Sequence, residues 1–269
     1  MGKGRPRVSV VVPTRGRPEL LGQCVAALEA QTLEVEVVVV EDAEGRGPAW
    51  ARNEGVRRAR GEVVCFADDD CSPSPGWAEA LATPLFCGIG EVSTGPVLMD
   101  RGATAADRAW EAIVRYLQAQ VAAPATASPG FVVTANLAAR RELLERQPFD
   151  ESFPVAAGED RDWGERVARA GVATKFIPSA IVLHRSGMRV GDFLRQQYRY
   201  GQGAARYRRT GADRSRGTAS FYAHLLVSGF RIGPVVGVLL IAAQAATVAG
   251  AIRETANQAD NRPLSRSRR

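Results

Sequence analysis

Three consecutive carboxylates, Asp68-Asp69-Asp70, follow the apolar run from Glu62 to Ala67. Like charges that close repel, and desolvation raises their pKa values, so the cluster calls for a compensating cation. Asp68 and Asp70 stand two apart and face a common side if the strand continues. Carboxylate oxygens suit a hard divalent ion, Mg²⁺ or Mn²⁺, which typically also binds substrate phosphates. The competing reading is a helix cap and solvated turn, because Ser-Pro-Ser-Pro-Gly-Trp follows directly and Asp is a common cap and turn residue. A second acidic pair, Glu159-Asp160, opens a helical pattern, where the helix dipole alone favours acids. His184 closes the apolar run Ile-Val-Leu-His, and a lone His there is by default structural.

The elements that must position these groups follow from hydrophobic periodicity. Val8 to Val12, Val35 to Glu41 and Glu62 to Ala67 are continuous apolar runs, the pattern of strands buried on both faces. Pro18 to Gln31 places Leu20, Leu21, Cys24, Val25 and Leu28 on one helical face, with Pro18 in a favourable first turn. Pro48 to Arg60 is a second helix, closed by Gly61. Strand–helix–strand–helix–strand implies a parallel α/β sheet, in which ligands sit beyond the carboxyl ends of the strands. Those ends are Pro13-Thr14-Arg15, Glu41-Asp42 and the Asp triplet. Further on, Gly76 to Phe86, Thr104 to Gln118, Arg140 to Arg146, Glu159 to Ala170 and Val190 to Arg209 read as helices. Glu91 to Met99, Phe131 to Ala135, Ala173 to Ile177 and Ile181 to His184 read as strands, and Ala122 to Gly130 as a loop of small residues.

The stretches VSVVVPTRGRPELLGQCVAALEAQ and VVVVEDAEGRGPAWARNEGVRRARGEVVCFADDD resemble a family 2 glycosyltransferase with the GT-A, Rossmann-like fold. NLAARRELL, FDESF and GEDRDWGERVARAG extend the resemblance, which covers about residues 7–210. It implies an inverting transfer from a nucleotide-sugar, UDP-linked by preference, to a hydroxyl of a glycan, lipid-linked or small-molecule acceptor. By the resemblance, Pro13, Thr14 and Arg15 contact the nucleotide, and Asp42, preceded by Glu41, reads the base or ribose. The usual Asp-Gly-Ser is replaced here by Asp42-Ala43-Glu44. Arg52 and Asn53 match a helix near the nucleotide; the plain alternative for Arg52 is a surface cation. Asp68-Asp69-Asp70 matches the Asp-x-Asp element: Asp70 on the metal, Asp68 on the ribose or the metal, Asp69 beside the donor. Glu159-Asp160 matches the Glu-Asp at a helix start, with Asp160 as the base that takes the acceptor hydroxyl's proton while the metal and cations stabilise the departing diphosphate. His184 matches a metal ligand, neutral imidazole being compatible with Mn²⁺. Arg185 and Arg189 meet the diphosphate from a mobile segment. Asn136 and Trp163 fall at the acceptor side, although Trp163 could equally pack in the core.

Charge is divided unevenly. Residues 1–184 hold 20 Lys+Arg against 25 Asp+Glu, whereas 185–269 hold 15 against 4. In the stretch 195–216 Tyr198, Tyr200 and Tyr207 are interleaved with arginines. Such a stretch can bind nucleic acid, but no nucleic-acid motif accompanies it and none is expected as a partner. From Ala219 to Ile252 the one formally charged side chain is Arg231. A basic, aromatic stretch before an apolar one attracts anionic headgroups at the cytoplasmic face of a membrane. The apolar part can span a bilayer, lie in it as a hairpin broken near Gly233-Pro234, or form a helix pair that packs on the body or pairs two copies as a homo-oligomer, and membrane association is the expectation. The expected organisation is a glycosyltransferase domain over 1–210, apolar helices over 211–252 and a basic disordered tail over 253–269. Four cysteines without a CxxC pair exclude a disulfide framework and a zinc ribbon, and the N-terminal residues show no signal peptide, so a reducing, cytoplasmic setting is expected. Two rivals stand beside the transferase: a nucleotidyltransferase releasing pyrophosphate, and a non-catalytic nucleotide- or glycan-binding scaffold.

Overall fold

The computed structural model describes residues 6–100, 104–122, 132–153, 157–185, 187–209 and 219–260. Strand β1 (Val8–Thr14) leads through helix α1 (Pro18–Glu29) to β2 (Val35–Glu41), and α2 (Pro48–Arg58) leads to β3 (Val63–Phe66). β1 lies between β2 and β3 and pairs parallel with both, which is the expected parallel unit. β1 and β3 are buried on both faces, as their unbroken apolar runs require. β2 differs. It is the sheet edge, most of its residues are only half-buried, and Val39 is exposed. A continuous apolar run thus does not distinguish an edge strand from a central one.

The chain continues through β4 (Cys71–Pro73), α3 (Trp77–Phe86), β5 (Val92–Thr94), β6 (Val97–Met99) and α4 (Ala105–Ala122). The single strand expected over 91–99 is two strands in different sheets, because the chain turns at Gly95-Pro96. Thr134–Asn136 is a 3₁₀ turn, and the strand follows it as β7 (Leu137–Arg140), not before it. Phe131 and residues 123–130 of the expected loop lie outside the described residues. Then come α5 (Arg141–Arg146), α6 (Glu159–Arg169), β8 (Thr174–Phe176), β9 (Val182–His184), α7 (Val190–Arg209), α8 (Ala219–Ile232) and α9 (Pro234–Asp260).

The main sheet has the order β2-β1-β3-β7-β5-β8, with β7 antiparallel to both neighbours. A second sheet, β4-β9-β6, stands at its carboxyl edge. Its register pairs Cys71 with His184, which brings the end of the Asp triplet and the end of β9 side by side. The Arg185 amide donates to the Asp70 carbonyl at 2.9 Å and closes that junction.

The C-terminal helices form a hairpin that turns at Gly233 and pack on the body. α9 runs along α7 at backbone contact. A Cβ on Gly201 would lie 1.9 Å from the Thr247 carbonyl oxygen, and one on Gly250 would lie 2.0 Å from that of Tyr198. Glu254 of α9 accepts two hydrogen bonds from the Arg206 guanidinium, at 2.8 and 3.1 Å. α9 extends to Asp260, so residues 253–260 are helical rather than a tail. Residues 261–269 lie outside the described set.

Candidate active site

The second carboxylate pair meets the Asp triplet through one cation. Arg52, on α2, is buried; its guanidinium donates to Glu159 Oε1 at 2.8 Å and reaches Asp68 Oδ1 at 3.4 Å. Burial works against its charge, but the Glu159 and Asp68 carboxylates outweigh that and raise its pKa. Arg52 is therefore neither a surface cation nor a lone nucleotide contact. It ties the end of β3 to the start of α6, and itself lies 107 residues before Glu159 in sequence. Glu159 also accepts the Ala157 amide at 2.9 Å, so its carboxylate is held from both sides.

Asp160, next along α6, has no such counter-ion. Its side chain is partly exposed and Oδ1 accepts the Arg161 amide at 2.7 Å. Burial and then the Glu159 charge raise its pKa to about 7, with Arg52 opposing. A carboxylate whose pKa approaches neutrality is suited to exchanging protons near physiological pH.

The three triplet residues part company. Asp69 is fully buried: Oδ2 accepts from the Thr14 hydroxyl at 2.6 Å and from Arg17 Nε at 3.1 Å, and its other oxygen meets the same guanidinium. Asp69 and Thr14 thus lock the ends of β3 and β1 together. Asp68 remains partly exposed; burial raises its pKa, Arg52 lowers it and Asp70 raises it further. Asp70 Oδ1 lies 3.3 Å from His184 Nε2, and Oδ2 accepts from Arg17 at 2.7 Å. Donor atoms of Asp70, Cys71 and His184 fall within 4.8 Å of one another. A carboxylate beside an imidazole fits Mn²⁺ or Mg²⁺. The Cys71 thiol is a poor third ligand, because burial and then the Asp68 and Asp70 charges push its pKa well up, away from the thiolate a metal takes.

Other expected residues hold the frame. Asp42 accepts the Arg46 and Gly47 amides at 2.7 and 2.8 Å, closing the turn that starts α2. Glu41 accepts the Gly16 amide at 3.0 Å, and Arg15 lies exposed over the turn at Gly45. Pro13 is part of β1, opposite Val40. Asn53 is buried and clamps the 149–151 segment, donating to the Phe149 carbonyl and to Glu151 and accepting the Phe149 amide. Asn136 is fully buried: it accepts from Trp77 Nε1 at 2.8 Å and donates to the carbonyls of Pro96 and Ala180. Trp163 is fully buried, stacked on Phe149 at 5.3 Å, and donates to the Gln147 carbonyl. Neither Asn136 nor Trp163 has a face for an acceptor, because their polar atoms are spent inside the protein. Arg185 and Arg189 are exposed beside the His184 end of β9; Ser186 lies outside the described residues.

Four site residues escape sequence reasoning. Arg17, at the entry to α1, bridges Asp69 and Asp70. The need for such a cation was legible, its identity was not. Trp110, on α4, packs on His184 at 4.9 Å between ring centroids. Burial and then the Asp160 charge raise the pKa of the Tyr200 hydroxyl on α7, with Trp110 opposing. Asp107 accepts the amides of Gly187 and Met188 at 3.0 and 3.2 Å and that of Thr104 at 2.8 Å, anchoring the segment after His184 to the start of α4. The aromatic residues of 195–216 are not all displayed outward: Tyr207 is buried, with Arg161 over its ring at 4.9 Å.

Comparison with known proteins agrees with this geometry. The family described as "Glycosyl transferase family group 2" matches residues 92–252, and "Glycosyl transferase family 2" matches 43–86. Glycosyltransferase AglE of Haloferax volcanii is 26% identical over 229 residues, covering 74% of this chain and 73% of that protein. The pre-mycofactocin glycosyltransferase of Mycobacterium tuberculosis is 27% identical over 235 residues, and this chain spans about half of it (48%). Among solved structures, the mannosyltransferase PcManGT from Pyrobaculum calidifontis, in complex with GDP-Man and Mn²⁺, superposes with a TM-score of 0.53 at 20% identity, over 96% of this chain and 80% of that one. Glucosyl-3-phosphoglycerate synthase from Mycobacterium tuberculosis, with Mn²⁺, UDP and glucosyl-3-phosphoglycerate, gives 0.52 at 19% identity, over 79% and 82%. At these identities the structural likeness is one of fold, GT-A.

Proposed function

This chain belongs to the family 2 glycosyltransferases, and from that premise we propose that it moves a sugar with inversion from a uridine diphosphate sugar to an acceptor hydroxyl, with Asp160 as the general base. The observation that carries the reading is the Arg52 bridge, which brings the donor-side Asp68 and the base-bearing turn of α6 to one place. Asp70 and His184 would hold Mn²⁺ or Mg²⁺. Bound there, the ion supplies charge stabilisation for a diphosphate leaving group. Arg17 adds a fixed cation on the same side.

Asp160 takes the proton of the acceptor hydroxyl as that oxygen bonds to the anomeric carbon. The bond from that carbon to the diphosphate oxygen breaks, and its electron pair leaves with the diphosphate. Glu159, spent on Arg52 and the Ala157 amide, orients the turn rather than moving a proton. The donor preference for uridine is supported by the UDP complex among the fold relatives; the GDP-Man complex supplies the competing nucleotide.

Calorimetric titration with UDP, GDP, CDP and ADP, each with Mn²⁺ and with chelator, tests the donor reading. UDP is expected to bind in the presence of metal only. Tight binding of every nucleotide under chelator would overturn it, and release of pyrophosphate from a nucleoside triphosphate would assign the chain to nucleotidyl transfer instead. Asp70→Ala is expected to abolish the difference between the Mn²⁺ and chelator titrations; undiminished metal stimulation would remove Asp70 from the metal site.

The pH dependence has a definite sign. Asp160 accepts a proton only when ionised, and its pKa is raised to about 7. Below that value kcat/KM is expected to rise roughly tenfold per pH unit, and above it to level off. A profile flat from pH 5 to 8, a range that brackets the pKa of about 7, excludes Asp160 as the titrating base.

A further inference from the structure

We infer that the α8–α9 hairpin docks in the plane of an anionic lipid surface through its outer face, without crossing the bilayer. α9 has the length and composition of a span: within Pro234–Asn257 an 18-residue window reaches a mean hydropathy of 2.2. Its packing argues otherwise. The face carrying Val236, Leu240, Ala243 and Gly250 is buried in the body. The glycine contacts with α7 and the Arg206–Glu254 ion pair fix the second half of the helix there, over Thr247 to Glu254. A spanning helix would have to leave α7, exposing the backbone and the ion pair that now meet it.

The opposite face is what remains for lipid. Val235, Val238, Ile241 and Ile252 recur at helical spacing on the outside of α9, and Val227 and Phe230 continue the surface on α8. These six residues are 47% to 65% exposed. A soluble surface rarely shows apolar side chains so continuously. The charges bordering this face point to an anionic occupant: no acid lies between Arg214 and Arg253 in the sequence, and exposed Arg231 and Arg253 fall at the turn of the hairpin and towards the end of α9. Basic residues beside an apolar helix face are what binds an anionic bilayer in plane. At about 1.5 Å per residue, the helix offers roughly 40 Å of contact.

The inference does not rest on the glycosyltransferase reading, and its test needs no turnover. The full chain is mixed with vesicles of phosphatidylcholine alone and of phosphatidylcholine with phosphatidylglycerol, then floated on a density gradient. Co-flotation with the anionic vesicles is expected, reduced at high salt and on neutral vesicles. Val238→Ser with Ile241→Ser, both on exposed positions, is expected to lower the floated fraction at least tenfold at unchanged melting temperature. Depth is read with a membrane-impermeant maleimide on Tyr222→Cys and Asn257→Cys in a Cys87→Ser background. Both positions are expected to react on intact vesicles. Protection of one of them until the vesicles are opened would establish a span and overturn in-plane docking. Failure to float, or a dimer dispersed by the same two serines, would overturn lipid as the occupant.

Discussion

Asp160→Asn is expected to lower kcat by at least a thousandfold while leaving the dissociation constant for UDP with Mn²⁺ within about twofold of the unmodified enzyme. The size follows from what general acid–base catalysis supplies, roughly 10² to 10⁴. The selectivity follows from geometry. The amide keeps the acceptor oxygen that receives the Arg161 N–H at 2.7 Å, so the first turn of α6 stays in place. Asp70, His184 and Arg17 lie on the other arm of the site, at the β3 and β9 ends. The two measurements separate two roles. Collapse of nucleotide binding together with the rate would make Asp160 a donor residue. A rate reduced less than tenfold would leave the base elsewhere.

Arg52→Met is expected to destabilise the fold by about 3–5 kcal/mol, the usual cost of stranding buried charge. Methionine preserves much of the stem volume and removes the cation, so lost packing contributes little. What remains are Glu159, buried at the start of α6, and Asp68, each without the guanidinium 2.8 or 3.4 Å away. Urea unfolding reads the difference directly. A loss below about 1 kcal/mol would place this pair among exposed ion pairs, which contribute that little. The same variant is expected to lose transfer, because the bridge is what sets Asp160 against the donor-side carboxylates. Restoring charge with Arg52→Lys should recover stability only in part, since a single ammonium cannot fork between two carboxylates as a guanidinium does.

Most of the sheet was legible because its strands are continuous apolar runs with turn residues at their ends, and β1, β2, α1 and α2 fall where those patterns put them. The failures have physical causes. Gly95-Pro96 redirects the chain inside what reads as one strand, and periodicity does not register a change of sheet. The edge position of β2 depends on what lies beside it, not on its own residues. In the site, residue type found the acids but not their division of labour. Asp68, Asp69 and Asp70 are equivalent as letters, and only the register of β4 on β9 and the reach of Arg17 make one a buried strut and another a partner of His184. Asn136 and Trp163 read as acceptor residues by motif, yet both spend their hydrogen bonds inside the core. Trp110 and His184 could not be paired from sequence, since they lie far apart in the chain, on α4 and β9, whose meeting no local pattern encodes.

The contact of α9 with α7 also sets how this sequence can drift. Gly201 and Gly250 leave no room for a side chain against the Thr247 and Tyr198 carbonyls. Another side of α7 is as confined two residues on, for a Cβ on Gly203 would lie 1.9 Å from the Ala157 carbonyl just ahead of Glu159. The outward positions of α9 ask only for an apolar side chain of any shape. One helix therefore carries two rates of change. On its outside valine, isoleucine and leucine would serve equally, whereas on its inside a single added methyl at Gly250 would meet the Tyr198 carbonyl at 2.0 Å and force α7 and α9 apart. The apolar hairpin cannot be shed or swapped as a module, because half of it is the back wall of the enzyme.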